Sequence, residues 1–324
     1  MNANETEAGA VRVRTHACAD VDEIAAALTG LQARMWVADR PSGAAWKLLD
    51  VDVGGFRLMH GEMAGGFCGA AGVHERSLLV AVKLDATSPW NLHGCPVTED
   101  EIAVIRPGTE YTLRTAAPGE WALVRLDALE LEGRLTEMSE GGYARLRGAL
   151  HVLRPAAEPL RALRAAVYRL IGASRAEAQA SRLDGLTAAL HAQILETVGG
   201  AMLRWDPAPR ENDARVVRRA LSYLEEHQGR AVYVSDLCAA GGCSERALRR
   251  AFNAVYDSSP IAFIRARHLN HARRALLAGR CQSVTEAAMQ YSFYDVGRFS
   301  ATYRKLFGEL PSKTAERQRA LTAD

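Results

Sequence analysis

The 324-residue chain has no long hydrophobic run. Its longest wholly apolar stretches are about half a dozen residues, where a membrane-spanning helix needs roughly 20. Met1 to Ala10 carries Glu5 and Glu7 and no apolar core segment, so no secretory leader is expected. The six cysteines (Cys18, Cys68, Cys95, Cys238, Cys243 and Cys281) are dispersed without a C-x-x-C pair. They read as reduced, mostly buried thiols of a cytoplasmic protein, and zinc at Cys238 and Cys243 would lack two further ligands at a recognisable spacing. G-x-S-x-G, a glycine-rich phosphate loop and H-E-x-x-H are all missing, so no enzyme activity and no cofactor are expected.

What is present is an ordinary globular composition, 48% apolar and 24% charged, long enough for about two domains. The net charge of +2 hides a split. Residues 213–324 hold 18 basic and 11 acidic side chains, a net of +7, while residues 1–212 hold 22 and 27, a net of −5. A basic third on an acidic remainder points to a polyanionic partner for the C-terminal part.

Residues from about 46 to 130 read as β-structure. Leu49, Val51 and Val53 alternate with Asp50 and Asp52, the period of a half-buried strand, and Gly54-Gly55 turns the chain into Phe56, Leu58 and His60. Leu78, Val80, Val82 and Leu84 form another strand face. Ile102 and Val104, Tyr111 to Thr115 and Trp121 to Leu126 complete a meander, interrupted at Pro107-Gly108 and Pro118-Gly119. Short strands at this spacing make a small sandwich or barrel. From about 139 to 204 the pattern turns helical, with seams at Leu160, Leu163, Val167 and Leu170 and at Leu183, Leu186, Leu190, Ile194 and Val198. Such seams either pack on the β-domain or pair two subunits. Trp205 to Asn212 contains two prolines and reads as a linker.

The C-terminal part carries the chemistry. Val217, Ala220, Leu221 and Leu224 share one helical face, and Gly229 follows as a stop signal. Ser235 can cap a short helix that ends at Gly241-Gly242, and Ser244 caps a longer one to about Tyr256. This is the layout of a helix-turn-helix. Leu248, Ala251, Phe252 and Val255 make the buried stripe of the second helix. Arg246, Arg249, Arg250 and Asn253 stand opposite, the side-chain types that reach guanine and adenine edges in a major groove. The pattern recurs. Ser283 and Glu286 form a capping box, Tyr291-Ser292-Phe293 turns the chain, and Asp295 caps a helix with Phe299, Tyr303 and Leu306 inward. Val296, Gly297, Arg298, Ala301, Arg304 and Lys305 face outward. Between the units, Pro260 starts a helix to about Ala278 with Ile261, Ile264, Leu269 and Ala272 among its apolar positions. Its length of about 28 Å approaches the roughly 34 Å between major-groove faces, which suits recognition helices in adjacent grooves.

Val234-Ser235-Asp236-Leu237 through Ser244 to Phe252 resembles the first DNA-binding module of the AraC/XylS family of transcription regulators. Arg267-His268-Leu269-Asn270-His271-Ala272-Arg273 resembles that family's connecting helix, and Val284 to Met289 through Phe307 to Ser312 its second module. Gly297 to Tyr303 is similar to the ethanolamine-operon regulator subgroup, whose β-rich sensor domain residues 20–130 weakly resemble. The resemblance implies an α+β multidomain chain: residues 1–15 disordered, a β-rich, cupin-like effector-sensing domain over 16–138, a helical dimerisation segment over 139–204, a linker over 205–212, and an all-α double helix-turn-helix domain over 213–324. It implies a transcriptional activator that binds a double-stranded DNA operator as a homodimer, works with RNA polymerase and answers to a small-molecule effector. Ala301 and Ala315 depart from the family, which places a basic and an aromatic residue there. On this pattern Arg246, Arg249 and Arg250 read sequence while Arg298, Arg304 and Lys305 hold phosphates.

Two alternatives stay beside this reading, a cupin-like metal enzyme fused to a DNA-binding module and a regulator governed by a protein partner instead of a ligand. His60, Glu62, His74 and His93 invite the first, but the H-x-H pair followed by Glu is missing, with His60-Gly61-Glu62 its nearest approach. No metal is therefore expected. Trp46, His60, Trp90, His93, Tyr111 and Trp121 are the candidates to line an effector pocket; aromatic residues in a β-domain also serve as plain core.

Overall fold

The computed structural model describes residues 11–18, 21–28, 30–38, 46–86, 90–138, 150–202, 211–227 and 232–321. Its N-terminal part is built on two antiparallel sheets. The chain runs through β1 (Arg12–Cys18), α1 (Val21–Ala27), β2 (Arg34–Val37), β3 (Trp46–Val53), β4 (Phe56–Met63), β5 (Phe67–Gly72), β6 (Ser77–Lys83) and β7 (Trp90–Leu92). It continues through β8 (Cys95–Val97), β9 (Ile102–Ile105), β10 (Glu110–Thr115), β11 (Gly119–Asp127), α2 (Ala128–Met138) and β12 (Leu150–Leu153). Seven strands pair in the order β1-β3-β4-β11-β6-β9-β12, and five in the order β2-β5-β10-β7-β8. Gly54 and Gly55, both at positive φ, make the two-residue turn that sets the β3–β4 register of Val53 opposite Phe56.

Alternation here does not mean a half-exposed strand. Leu49, Val51, Leu78, Val80 and Val82 point to one apolar layer, while Trp46, Leu48, Leu79 and Ala81 point to another on the opposite face. The second layer is filled by the five-stranded sheet. The first is covered by α3 (Ala157–Arg175) and α4 (Ala180–Met202). Even Asp50 is buried, held by the buried guanidinium of Arg57, whose Nε donates to its Oδ1 at 2.6 Å.

Both helical seams are consumed in this way. Leu160, Leu163, Val167, Leu170, Leu183, Leu190, Ile194 and Val198 are all buried against the seven-stranded sheet within one chain, with Leu186 partly so. The pairing alternative therefore loses these side chains as its contact surface. Residues 12–15 belong to β1, where disorder was expected, and β12 lies inside the stretch expected to be helical. No helix among the described residues is long and apolar enough to cross a membrane.

The C-terminal part is helical: α5 (Glu211–Glu226), α6 (Val234–Gly241), α7 (Glu245–Tyr256), α8 (Pro260–Leu277), α9 (Val284–Gln290), α10 (Val296–Phe307) and α11 (Pro311–Leu321). Glu211 and Asn212 open α5, so the expected linker ends before them; its residues 205–210 and the stop signal Gly229 lie outside the described residues. On α8, Phe263, Leu269, Ala272 and Leu276 are buried, whereas the apolar Ile261 is 53% exposed.

Gly61 in β4 shows how tightly the layer between the sheets is filled. A Cβ there would lie 2.2 Å from the Trp121 ring on neighbouring β11. Gly61→Ala is expected to destabilise the chain by about 1–3 kcal/mol through overpacking. Gly133→Ala in α2, where a Cβ meets nothing within 4 Å, is expected to be neutral or to stabilise by about 0.5–1 kcal/mol. Urea unfolding of the two variants beside the parent checks both.

Candidate nucleic-acid interface

Two similar units form the candidate interface. In the first, Gly242 takes the left-handed conformation that ends α6, with φ +61°. The Ser244 hydroxyl then accepts the Ala247 N–H at 3.3 Å and starts α7. The short helix before it is not capped by Ser235. It begins two residues earlier, with Tyr233 as its N-cap, where the Asp236 carboxylate accepts the Tyr233 N–H at 2.8 Å. In the second unit Ser283 accepts the Glu286 N–H at 3.0 Å, while the Glu286 carboxylate reaches back to the N–H of Gln282, one residue beyond the expected box. Asp295 accepts the Arg298 N–H at 2.9 Å and opens α10.

Each longer helix separates its faces cleanly. Leu248, Ala251, Phe252 and Val255 are buried on α7, and Phe299 and Tyr303 on α10. The Tyr303 hydroxyl bonds to Thr314 Oγ1 at 2.8 Å, and Thr314 donates to Glu309 at 2.7 Å, which ties α10 to α11. Leu306 is only partly buried. Outward stand Arg246, Arg249, Arg250 and Asn253 on α7 and Arg298, Arg304 and Lys305 on α10, all exposed.

Charge is not evenly available among them. Arg249 is held by Glu245 one turn earlier, at 2.5 Å, and Arg250 by Asp213 of α5, at 3.0 Å. Arg246, Arg298, Arg304 and Lys305 have no ion-pair partner among the described residues. Exposed pairs of this kind are worth little, so an incoming anion exchanges with them readily. Two contributors escaped sequence reasoning. Tyr294, 81% exposed in the turn before α10, and Arg265 of α8 line a shallow cleft of about 190 Å³ together with Arg298. An aromatic residue directly before the Asp295 cap was the available signal for the first. Nothing local marks Arg265, because α8 alone does not say where α10 lies.

The six proposed effector residues are not brought together around one cavity. Trp46, Trp90, Tyr111 and Trp121 are buried in the layer between the two sheets. His60 is buried in β4 with its Nε2 2.6 Å from Glu120 Oε1; burial lowers its pKa and the carboxylate opposes that shift. His93 sits at the edge of β7, facing the C-terminal helices, with its Nδ1 buried and unpaired. No three His, Cys, Asp or Glu side chains among the described residues converge as metal ligands would.

Residues 237–317 match the family of helix-turn-helix domains. Over 98 residues the chain is 35% identical to the XylDLEGF operon transcriptional activator 2 of Pseudomonas putida, a match covering 30% of this chain and 62% of that one. It is 32% identical over 100 residues to the probable thc operon regulatory protein of Rhodococcus erythropolis, covering 30% of each. The chain thus spans less than two thirds of the length of these curated relatives. Among solved structures, a probable AraC family transcriptional regulator from Rhodopseudomonas palustris CGA009 is 36% identical, with 32% of this chain and 96% of that chain covered and a TM-score of 0.30.

Burial, and secondarily Arg218, pushes the His93 pKa from 6.5 down to about 4. The unfolded chain therefore takes up a proton in this interval that the folded chain refuses, so stability is full above pH 6.5 and falls as the pH drops toward about 4. His93→Asn, which tolerates the positive φ of this position, is expected to lose less stability on acidification, read by urea unfolding across that range. Over residues 237–317, a quarter of its length, the chain is thus similar to the family of helix-turn-helix domains.

Proposed function

We propose that the chain is a sequence-specific DNA-binding transcription regulator, an activator that works with RNA polymerase. The observation that carries this reading is the pair of capped helix-turn-helix units joined by α8, each turning an exposed basic face outward. The regulators that share the C-terminal sequence support it, and Gly297 to Tyr303 supports a place near the ethanolamine-operon subgroup. In this reading α7 supplies the base-reading face, and Arg246 leads it because Arg249 and Arg250 begin in internal ion pairs. The α10 face, where Gly297 and Ala301 offer nothing to a base edge, holds phosphates through Arg298, Arg304 and Lys305. The N-terminal sheets with α3 and α4 form the sensing domain for a small-molecule effector. Homodimerisation belongs to the same reading and uses a face other than the two buried seams.

Selection of bound sequences from a random duplex library with the full chain is expected to enrich a motif whose G-containing positions repeat at about one helical turn. Failure to enrich any motif would overturn sequence-specific recognition. On the selected site, Arg246→Ala is expected to cost about 1–3 kcal/mol and to relax the base preference under α7. Lys305→Ala is expected to weaken all sequences alike and to lower the slope of affinity against salt by about one. Equal relaxation of specificity by both would refute the division of labour.

A further inference from the structure

Two of the six cysteines stand side by side, and the turn of the first helix-turn-helix unit puts them there. The Cys243 N–H donates to the Cys238 carbonyl at 3.0 Å, and the Gly242 N–H to the Ala239 carbonyl at 3.2 Å. With Gly242 left-handed between them, this is the double bonding that closes a helix on a glycine. It sets the first and sixth side chains of the turn against each other, commonly as an apolar contact. Here both side chains are thiols. Each is half-buried and packed on the core of the first unit. The other cysteines lie on separate elements: Cys18 on β1, Cys68 on β5, Cys95 on β8 and Cys281 ahead of α9.

The pair offers two soft sulfur donors. No third His, Cys, Asp or Glu among the described residues joins them as a metal ligand. Zinc closes its shell with four ligands and takes thiolates. Burial raises the pKa of both thiols, and for Cys238 the neighbouring Cys243 and Glu245 add to the rise, so both stay protonated at pH 7. The same shift makes them poor nucleophiles toward a peroxide, which the thiolate attacks. Two neutral, adjacent thiols suit a thiophilic centre with two exchangeable bonds whose leaving groups take up the protons. A trivalent arsenical, R–As(OH)2, is such a centre. Two S–H and two As–O bonds break, two As–S and two O–H bonds form, and two waters leave. Neither the charge nor any oxidation state changes.

We propose that Cys238 and Cys243 form a bidentate site for a monosubstituted trivalent arsenical. Cys243 directly precedes Ser244, whose hydroxyl caps α7. A Cβ on Gly241 would lie 3.2 Å from Cys243 Sγ and 3.3 Å from Val216 of α5, so the turn is backed by packed atoms. Seating the arsenic bridge therefore shifts Cys243 and, with it, the start of α7. The site stands on this geometry; an effect on DNA rests on the regulator reading.

The test begins with the full chain and no DNA, so that it stands or falls apart from operator recognition. Phenylarsine oxide, which hydrates to the dihydroxide, is titrated beside arsenite and zinc chloride. Native mass spectrometry is expected to show one phenylarsenic group per chain, and trypsin to place it on residues 231–246, the peptide that holds both cysteines. Arsenite, which has a third bond to fill, and zinc are expected to bind at least roughly tenfold more weakly. Loading is expected to raise the Tm, because the folded turn holds the two sulfurs together. A small dithiol is expected to release the group at a concentration where a monothiol does not. Cys238→Ser and Cys243→Ser are each expected to bind about a hundredfold more weakly, with Cys95→Ser as the parent. Absence of the adduct, its placement on other cysteines, a lowered Tm, equal release by monothiol and dithiol, or undiminished binding in either of the first two variants would each overturn the site. Arsenite binding as tightly as phenylarsine oxide would overturn the match to two exchangeable bonds. On the selected duplex, loading is expected to weaken binding about threefold or more, and the same treatment to leave Cys238→Ser unaffected. Unchanged affinity of the loaded chain would overturn the reach to α7.

Discussion

Both faces of the seven-stranded sheet are apolar, and the rest of the molecule is arranged to cover them. One face takes the five-stranded sheet, the other takes α3 and α4. A sheet with two buried faces cannot stand without two covers, so the helical segment is part of the N-terminal domain's core and not an appendage. The outer face of the five-stranded sheet poses the same problem again. There Trp36 and Cys68 pack with Val217, Phe252, Tyr256 and Phe263 of the first helix-turn-helix unit. The Trp36 ring meets Phe263 edge-on at 5.5 Å.

Polar contacts fix the register of that packing. Asn270 reads the backbone of β2, Arg274 reaches back to Asp22, Asn91 of β7 donates to the Ala254 carbonyl, and Arg114 faces Asp257 at 3.4 Å. Arg246, Arg249, Arg250 and Asn253 all stay exposed, so the domains dock without covering the basic face. The N-terminal domain thus touches α7 at its C-terminal end and α8 along its middle. Those positions bear on how the two units are held relative to one another.

How much of this was legible in the sequence follows from the range of the interactions. The two units were legible because their signals are local: a cap at Ser244, Ser283 and Asp295, a glycine at the turn, a stripe at helical spacing. The strands were legible for the same reason, with Gly54-Gly55 as the clearest mark. Arg250 pairing with Asp213, and Asn270 bonding to the backbone of Val37, were not legible, since each depends on an element distant in sequence. The aromatic residues of the β-domain were ambiguous in principle, because Trp46 or Trp121 has the same residue type and spacing whether it lines a pocket or fills a core. The helical seams were equally ambiguous, as the pattern records that a face is buried and not what buries it.

Strand β2 closes one side of the five-stranded sheet, with β5 as its sole strand neighbour among the described residues. An edge of this kind is a template for another strand. In the docked chain the amide of Asn270 occupies the N–H and C=O of Val37 as a neighbouring strand would, and the guanidinium of Arg274 takes the carbonyl of Met35. The contact that holds the domains together therefore also works as a stopper on polymerisation. Any event that lifts α8 away, including cleavage between the domains, unmasks an adhesive edge, and the liberated N-terminal domain should self-associate through it.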